Sequence, residues 1–220
     1  MCIRDRPSPY RGTGDLGTGL AIRWSKAGYN IVIGSRTLDK AQAAVEALQA
    51  ISPDTPAQAM ENGDAAAAGD IVVLTVPAAH QISTLDALKD HLKGKILIDV
   101  TVPLVPPKVG TVQLPEEGSA GKRAQDFLGE EVHVVSAFQN IAAHLLQQDV
   151  VIECDVLVAG NSKDSRAKVI EMISEAGMTG WHAGPIANAA AAEALTSILI
   201  QINRGGILSH SGIKIIGQEH

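Results

Sequence analysis

Aromatic residues are scarce in this chain: Phe, Trp and Tyr together supply 3% of its 220 residues. A core therefore has to be filled by Ala, Val, Ile and Leu, which carry most of a 45% hydrophobic fraction. Cysteine is scarcer still. Cys2 and Cys154 alone exclude a disulfide framework and offer no metal-ligand spacing, and Cys154 reads as an ordinary half-buried residue. No continuous apolar run is long enough to cross a bilayer, and residues 1–11 lack the apolar centre of a signal peptide. Positive charge is in deficit, with a net charge of −6, which argues against general affinity for nucleic acid. The expectation is a cytoplasmic enzyme built from one large or two small domains.

What the chain does have is concentrated in two short stretches. Gly12-Thr13-Gly14-Asp15-Leu16-Gly17 is a G-x-G-x-x-G loop. Gly12 allows a tight turn, Gly14 lets backbone approach a pyrophosphate, and Gly17 lets the following helix lie close to a sheet. The helix expected from about Asp15 to Ala27 would present free N–H groups and a partial positive charge to phosphates. The second stretch, Ile31-Val32-Ile33-Gly34-Ser35-Arg36, is a short apolar strand with a hydroxyl and a guanidinium at its end. An NAD site places Asp or Glu there to accept from the ribose hydroxyls. Ser35 and Arg36 suit a 2′-phosphate instead, so the pair reads as NADP. Lys40, one helical turn beyond Arg36, can face the same phosphate.

One element is missing. A strand buried at the centre of a parallel sheet is expected just before such a loop. Residues 1–11 carry four charges, at Arg4, Asp5, Arg6 and Arg11, and two prolines, which do not suit that role. They are expected to be a segment foreign to the fold.

Downstream, helix and strand patterns alternate. Thr37 is placed to cap a helix to about Ala50, with Leu38, Ala41, Val45 and Leu48 on one face. Ile51–Gly63 reads as a polar connection. Strands are expected at Asp70–Pro77, Lys95–Val100, Val132–Ala137, Asp155–Ala159 and Met178–Ala183. Helices are expected at His80–Leu92, near Ala120–Leu128, and from Ser162 to about Ala176. Ala187–Asn203 reads as a strongly apolar helix buried on several sides. The fold class is α/β: a Rossmann-type, doubly wound, mainly parallel sheet with a small C-terminal helical cap. The divisions are 1–11 as the anomalous segment, 12–185 as an NADP-binding domain and 186–220 as the cap.

Ligands of open α/β sheets sit outside the carboxyl ends of the strands. Here those ends are apolar, with hydroxyls and amides: Thr75-Val76-Pro77, Thr101-Val102-Pro103 and Ser136-Ala137-Phe138-Gln139-Asn140-Ile141. No nucleophile–base set and no carboxylate pair can be assembled from them, and no metal site is read. His80 can line the site, although a surface helix-start histidine is the plainer reading, and His144 and His182 stand alone. A pocket without acid or base groups suits direct hydride transfer between two bound cofactors, where the protein supplies orientation and excludes water.

These motifs resemble the NADPH-dependent reductases of the deazaflavin coenzyme F420. The resemblance runs from Gly12 to about Gly217. It rests on the Gly loop, on Gly34-Ser35-Arg36 with Lys40, on Val135-Ser136-Ala137-Phe138 and on Ser211-Gly212-Ile213-Lys214. It implies hydride transfer between NADP(H) and F420, with no catalytic side chain. By the same resemblance Thr13–Leu16, Ser35, Arg36 and Lys40 would contact the NADP phosphates. Val76, Val102 and Ala137 would surround the nicotinamide, and the deazaflavin would stack near Gln139 and Ile141. Some relatives carry His where this chain has Gln139. Two other readings compete: a different NADP-dependent reductase of the imine or pyrroline-carboxylate type, and a non-catalytic NADP-binding regulatory module. The expected partners are these small molecules, with no nucleic acid and no membrane; the sequence allows a homo-oligomer without fixing the oligomeric state.

Overall fold

The computed structural model describes residues 2–3, 10–11 and 15–218. The motif residues Gly12, Thr13 and Gly14 lie outside the described residues, as does most of the 1–11 segment. What is described there is backbone pairing only: β1 (Cys2–Ile3) runs antiparallel to two neighbouring strands, and β2 (Tyr10–Arg11) runs parallel to one of them.

The dinucleotide half follows the expected alternation. Helix α1 (Asp15–Lys26) leads to β3 (Ile31–Ser35), whose first four residues are all buried. Helix α2 (Leu38–Ile51) follows with Thr37 at its N-cap, though the Thr37 side chain makes no capping hydrogen bond. Its buried face is Ala41 and Leu48, whereas Leu38, expected on that face, is exposed. The stretch expected as a polar connection is in fact structured. It contains β4 (Ala57–Glu61), which pairs in parallel with β3, and α3 (Asn62–Ala68). β4 has no β-branched residue and none of it is fully buried. Its strand state comes from the free edge that β3 offers, not from its own propensity.

The rest of the sheet is β5 (Ile71–Leu74), β6 (Ile96–Asp99), β7 (His133–Ser136), β8 (Asp155–Gly160) and β9 (Thr179–Gly184). β5, β6 and β7 are mutually parallel, β8 is antiparallel to β7, and β9 is parallel to β8. The sheet is α/β and mainly parallel, as expected. Helix α4 (Gln81–Leu92) links β5 to β6, α5 (Ala120–Leu128) precedes β7, and α6 (Lys163–Glu175) joins β8 to β9. α5 and α6 are capped by Ser119 and Ser162, whose hydroxyls accept from the N–H groups of Lys122 and Ser165. Aliphatic residues of β3, β5, β6 and β7 form one core with Trp24 of α1 and Phe138, whose rings meet edge to face 5.7 Å apart.

The C-terminal helix α7 (Ala189–Arg204) buries Ala189, Ala192, Glu193, Ser197 and Leu199. It is not buried on several sides, because Ile198 and Ile202 are exposed. Beyond it, the tail lies along the start of β8. The N–H of Asp155 donates to Ile213 O at 2.8 Å, and the N–H of Ile215 donates to the Asp155 carboxylate at 2.8 Å. Gly212 is required for that approach, since a Cβ there would stand 2.5 Å from Cys154 Sγ.

Candidate functional site

Two groups of residues meet at the carboxyl ends of the parallel strands. The first surrounds the end of β3. Ser35 is half-buried there, while Arg36 and Lys40 are exposed. A cavity of about 590 Å³ opens between the ends of β3 and β5 and the start of α4. Its lining brings Ser35, Arg36 and Lys40 together with Val76, Asn62 and His80. A hydroxyl and two cations on one wall fit a phosphate ester. The apolar floor from β5 fits a flat organic ring. At the start of α1, Asp15 is exposed, Leu16 half-buried and Gly17 buried. The N–H groups that open this helix add backbone donors for a phosphorylated ligand.

The second group lies beyond β6 and β7. Val102 is half-buried, and Ala137, Gln139 and Ile141 are buried. None of the four lines the first cavity. The Gln139 amide is held by its nitrogen, which donates to the carbonyl of Asp99 and to Ser136 Oγ, both at 2.9 Å. Its oxygen is buried without a partner, as is the Thr75 hydroxyl. The Thr101 hydroxyl stands against the Asp99 carboxylate and stabilises its charged form. Unpaired buried polar atoms are rare and need a reason. The two that follow β5 and β7 fit a ligand with a polar edge. Thr75 and Thr101 carry no distinguishing signal in the sequence beyond their place at strand ends.

Joined to Gln139 through Asp99 is a buried polar network that sequence reasoning missed. Asp99, at the end of β6, has no solvent exposure. Its carboxylate accepts from the side-chain amide of Gln81 and, at 2.8 Å, from the N–H of Thr101. Gln81 Oε1 in turn accepts from the Arg123 guanidinium at 2.7 and 2.9 Å. Glu193, reaching in from α7, accepts from the N–H groups of Ala120 and Gly121 at 2.7 and 3.0 Å, and so caps α5 together with Ser119. Burial pushes the Asp99 carboxyl above the usual carboxylate range, against its donors and Arg123. Burial, reinforced by the charge of Asp99, pushes Glu193 up to about 7 against its two backbone donors and Arg123. Asp99 stands at the end of β6 and Glu193 on α7, and they accept hydrogen bonds from backbone N–H groups and from the Gln81 amide. Among the described residues no three His, Cys, Asp or Glu side chains cluster to hold a metal, and no helix is long and apolar enough to cross a membrane.

The family model for NADP oxidoreductase coenzyme F420-dependent matches residues 12–103. The F420-dependent NADP reductase of Methanothermobacter thermautotrophicus is 38% identical over 93% of this chain and 91% of its own length. That of Methanocaldococcus jannaschii is 36% identical over 94% of this chain and 96% of its own. A solved structure from Arthrobacter sp. FB24, assigned to the same reductases, superposes with a TM-score of 0.81 at 25% identity, covering 96% of this chain and 99% of that one. With identity at this level along nearly the whole length, the chain belongs to the family of F420-dependent NADP reductases.

Proposed function

We propose that this protein transfers a hydride between NADP(H) and the deazaflavin coenzyme F420. The observation that carries the NADP half is the cavity at the end of β3, where Ser35, Arg36 and Lys40 stand with no acidic side chain among the described residues of the lining. Arg36 and Lys40 would pair with the 2′-phosphate, and Thr13–Leu16 would take the pyrophosphate with backbone N–H groups. Val76, Val102 and Ala137 would form the apolar wall at the nicotinamide, with the deazaflavin stacked near Gln139 and Ile141. The half of the reading that concerns F420 is supported by membership of the family.

The chemistry asks little of the side chains. A hydride, one hydrogen with two electrons, leaves the nicotinamide ring of NADPH and bonds to the ring carbon of the deazaflavin. NADP⁺ remains, and a ring nitrogen of the deazaflavin takes a proton from solvent. The protein has to hold two planar rings about 3–3.5 Å apart and keep water from between them. Small and aliphatic residues at the strand ends do that without adding a competing acid. The exposed aliphatic side chains of Ile198 and Ile202, one turn apart on α7, offer a surface for a second copy of the chain.

The test is an absorbance assay with purified protein, NADPH and oxidised F420. Loss of F420 absorbance matched one-to-one by NADPH consumption is expected. Tight NADP binding with no F420 turnover would favour the regulatory-module reading instead.

A further inference from the structure

Helix α1 is clamped by one stretch of chain. The 3-10 turn Ala143–Gln147 packs against it so closely that a Cβ on Gly19 would overlap the Leu146 side chain and lie 3.1 Å from the Leu146 backbone. At the far end of α1, Arg23 donates to the carbonyls of Leu145, Leu146, Gln148 and Val150, at 2.8 to 3.3 Å, and to Ala176 O at 3.2 Å. At the near end one side chain reaches the first turn. Gln147 Nε2 donates to the backbone carbonyl of Asp15 at 3.0 Å. The proposed nucleotide contacts do not use this residue, and nothing in the sequence singles it out.

We propose that Gln147 is a positioning residue for the dinucleotide pyrophosphate: by holding the Asp15 carbonyl it aims the Leu16 N–H. The inference rests on the reading that the first turn of α1 takes the pyrophosphate. A peptide unit is planar and trans, so its C=O and N–H point in opposite directions. Fixing the Asp15 carbonyl from the side of the turn therefore fixes the direction of the Leu16 N–H, one of the orphan donors of the helix start. The Asp15 carbonyl also accepts within the helix, as first-turn carbonyls do, so the Gln147 bond is a second, external restraint on a turn that is prone to fray. Without that bond a ligand would have to order that turn as it binds. Arg23 and Gly19 hold the body of the helix in either case, which separates aiming from folding.

The experiment compares NADP⁺ with adenosine 2′-monophosphate, which carries the 2′-phosphate and lacks the pyrophosphate, by calorimetry on the wild type, Gln147→Ala and Gln147→Glu. Loss of one neutral hydrogen bond should weaken NADP⁺ about three- to tenfold in Gln147→Ala. Gln147→Glu should weaken it further, because a carboxylate facing a carbonyl oxygen repels it. Binding of the 2′-monophosphate, and the melting temperature of Gln147→Ala, should stay as in the wild type. Unchanged NADP⁺ affinity in Gln147→Ala would overturn the proposal. So would an equal loss for both ligands, which marks a merely structural residue. Should the wild type bind NADP⁺ no better than the 2′-monophosphate, the pyrophosphate reading itself fails, and the proposal falls with it.

Discussion

Gly19→Ala separates local propensity from tertiary packing, because the two predict opposite signs. Gly19 lies inside α1, where Ala is favoured over Gly by about 1 kcal/mol. Seen as an isolated helix, the substitution stabilises. In the folded protein the added methyl meets the Leu146 side chain at overlap, with the Leu146 C and Cα atoms at 3.1 Å. Carbon atoms prefer separations of about 3.5–4.0 Å, so the turn must withdraw. The atom that has to yield is Leu146 Cβ, which is fixed to the backbone and moves only with it. Overpacking of this kind costs about 1–3 kcal/mol. Withdrawal also stretches the bonds from Arg23 to Leu145 O and Leu146 O, already at 3.3 and 3.2 Å, and the bond from Gln147 to Asp15 O. Each neutral bond lost adds about 0.5–1.5 kcal/mol, and more where the donor is charged. Set against the propensity gain, the net is a destabilisation of about 1–3 kcal/mol. Urea denaturation should show a lower midpoint at an unchanged slope. A chain of this size should also melt a few degrees lower for each kcal/mol lost. A Gly19→Ala protein as stable as the wild type, or more so, would refute the reasoning. NADP⁺ affinity should fall as well, since the turn that moves carries Gln147.

The remaining predictions concern the site. Arg36 is exposed, so its contact with phosphate is partly screened; Arg36→Ala should weaken NADP⁺ about five- to tenfold and leave NAD⁺ unchanged, and equal affinity of the wild type for the two cofactors would sink the NADP assignment. Ala137 has no solvent exposure, which makes a large aromatic replacement a threat to folding; Ala137→Val should instead cut F420 turnover while binding of the 2′-monophosphate is retained, whereas His80→Ala should keep most of the rate. Deuteride from labelled NADPH should appear in reduced F420 without exchange with solvent. The Glu193 carboxyl titrates near 7 in the folded protein, against an ordinary value of 4.5. Between those values the folded state holds a proton that the unfolded state has lost, so this group's contribution to stability falls as pH rises from about 4.5 to 7 and is level above. Melting temperatures followed over that range should slope less in Glu193→Gln, and parallel slopes would show that Glu193 is not the titrating group.

Much of the dinucleotide half is legible in the amino-acid sequence. The run from Asp15 reads as α1, and the apolar run Ile31–Gly34 with Ser35 and Arg36 after it sets up β3 and its cationic end. Both are local signals. A 3.6-residue or two-residue period is written into consecutive side chains, and a turn needs its glycines in place. The alternation of helices and strands from β5 to β9 is legible for the same reason. What escapes a sequence reading is decided between segments. β4 has the composition of a loop and becomes a strand because β3 leaves an edge beside it. Leu38 and Ile198 fit apolar helical faces, yet which part of a face is covered depends on what packs there, and both are exposed. Gly19 carries no mark in the sequence of the turn that presses on it from more than a hundred residues away. Asp99 and Glu193 have no common motif. One stands at the end of a buried strand and the other on the last helix, and only folding puts both charges out of water at the start of α5. The cost of burying a charge depends on where its donors end up. Local pattern thus settles most of the helices and strands and puts a hydroxyl and two cations at the end of β3, while β4, the clamp on α1, the unpaired polar atoms and the buried acids come from packing between distant parts of the chain.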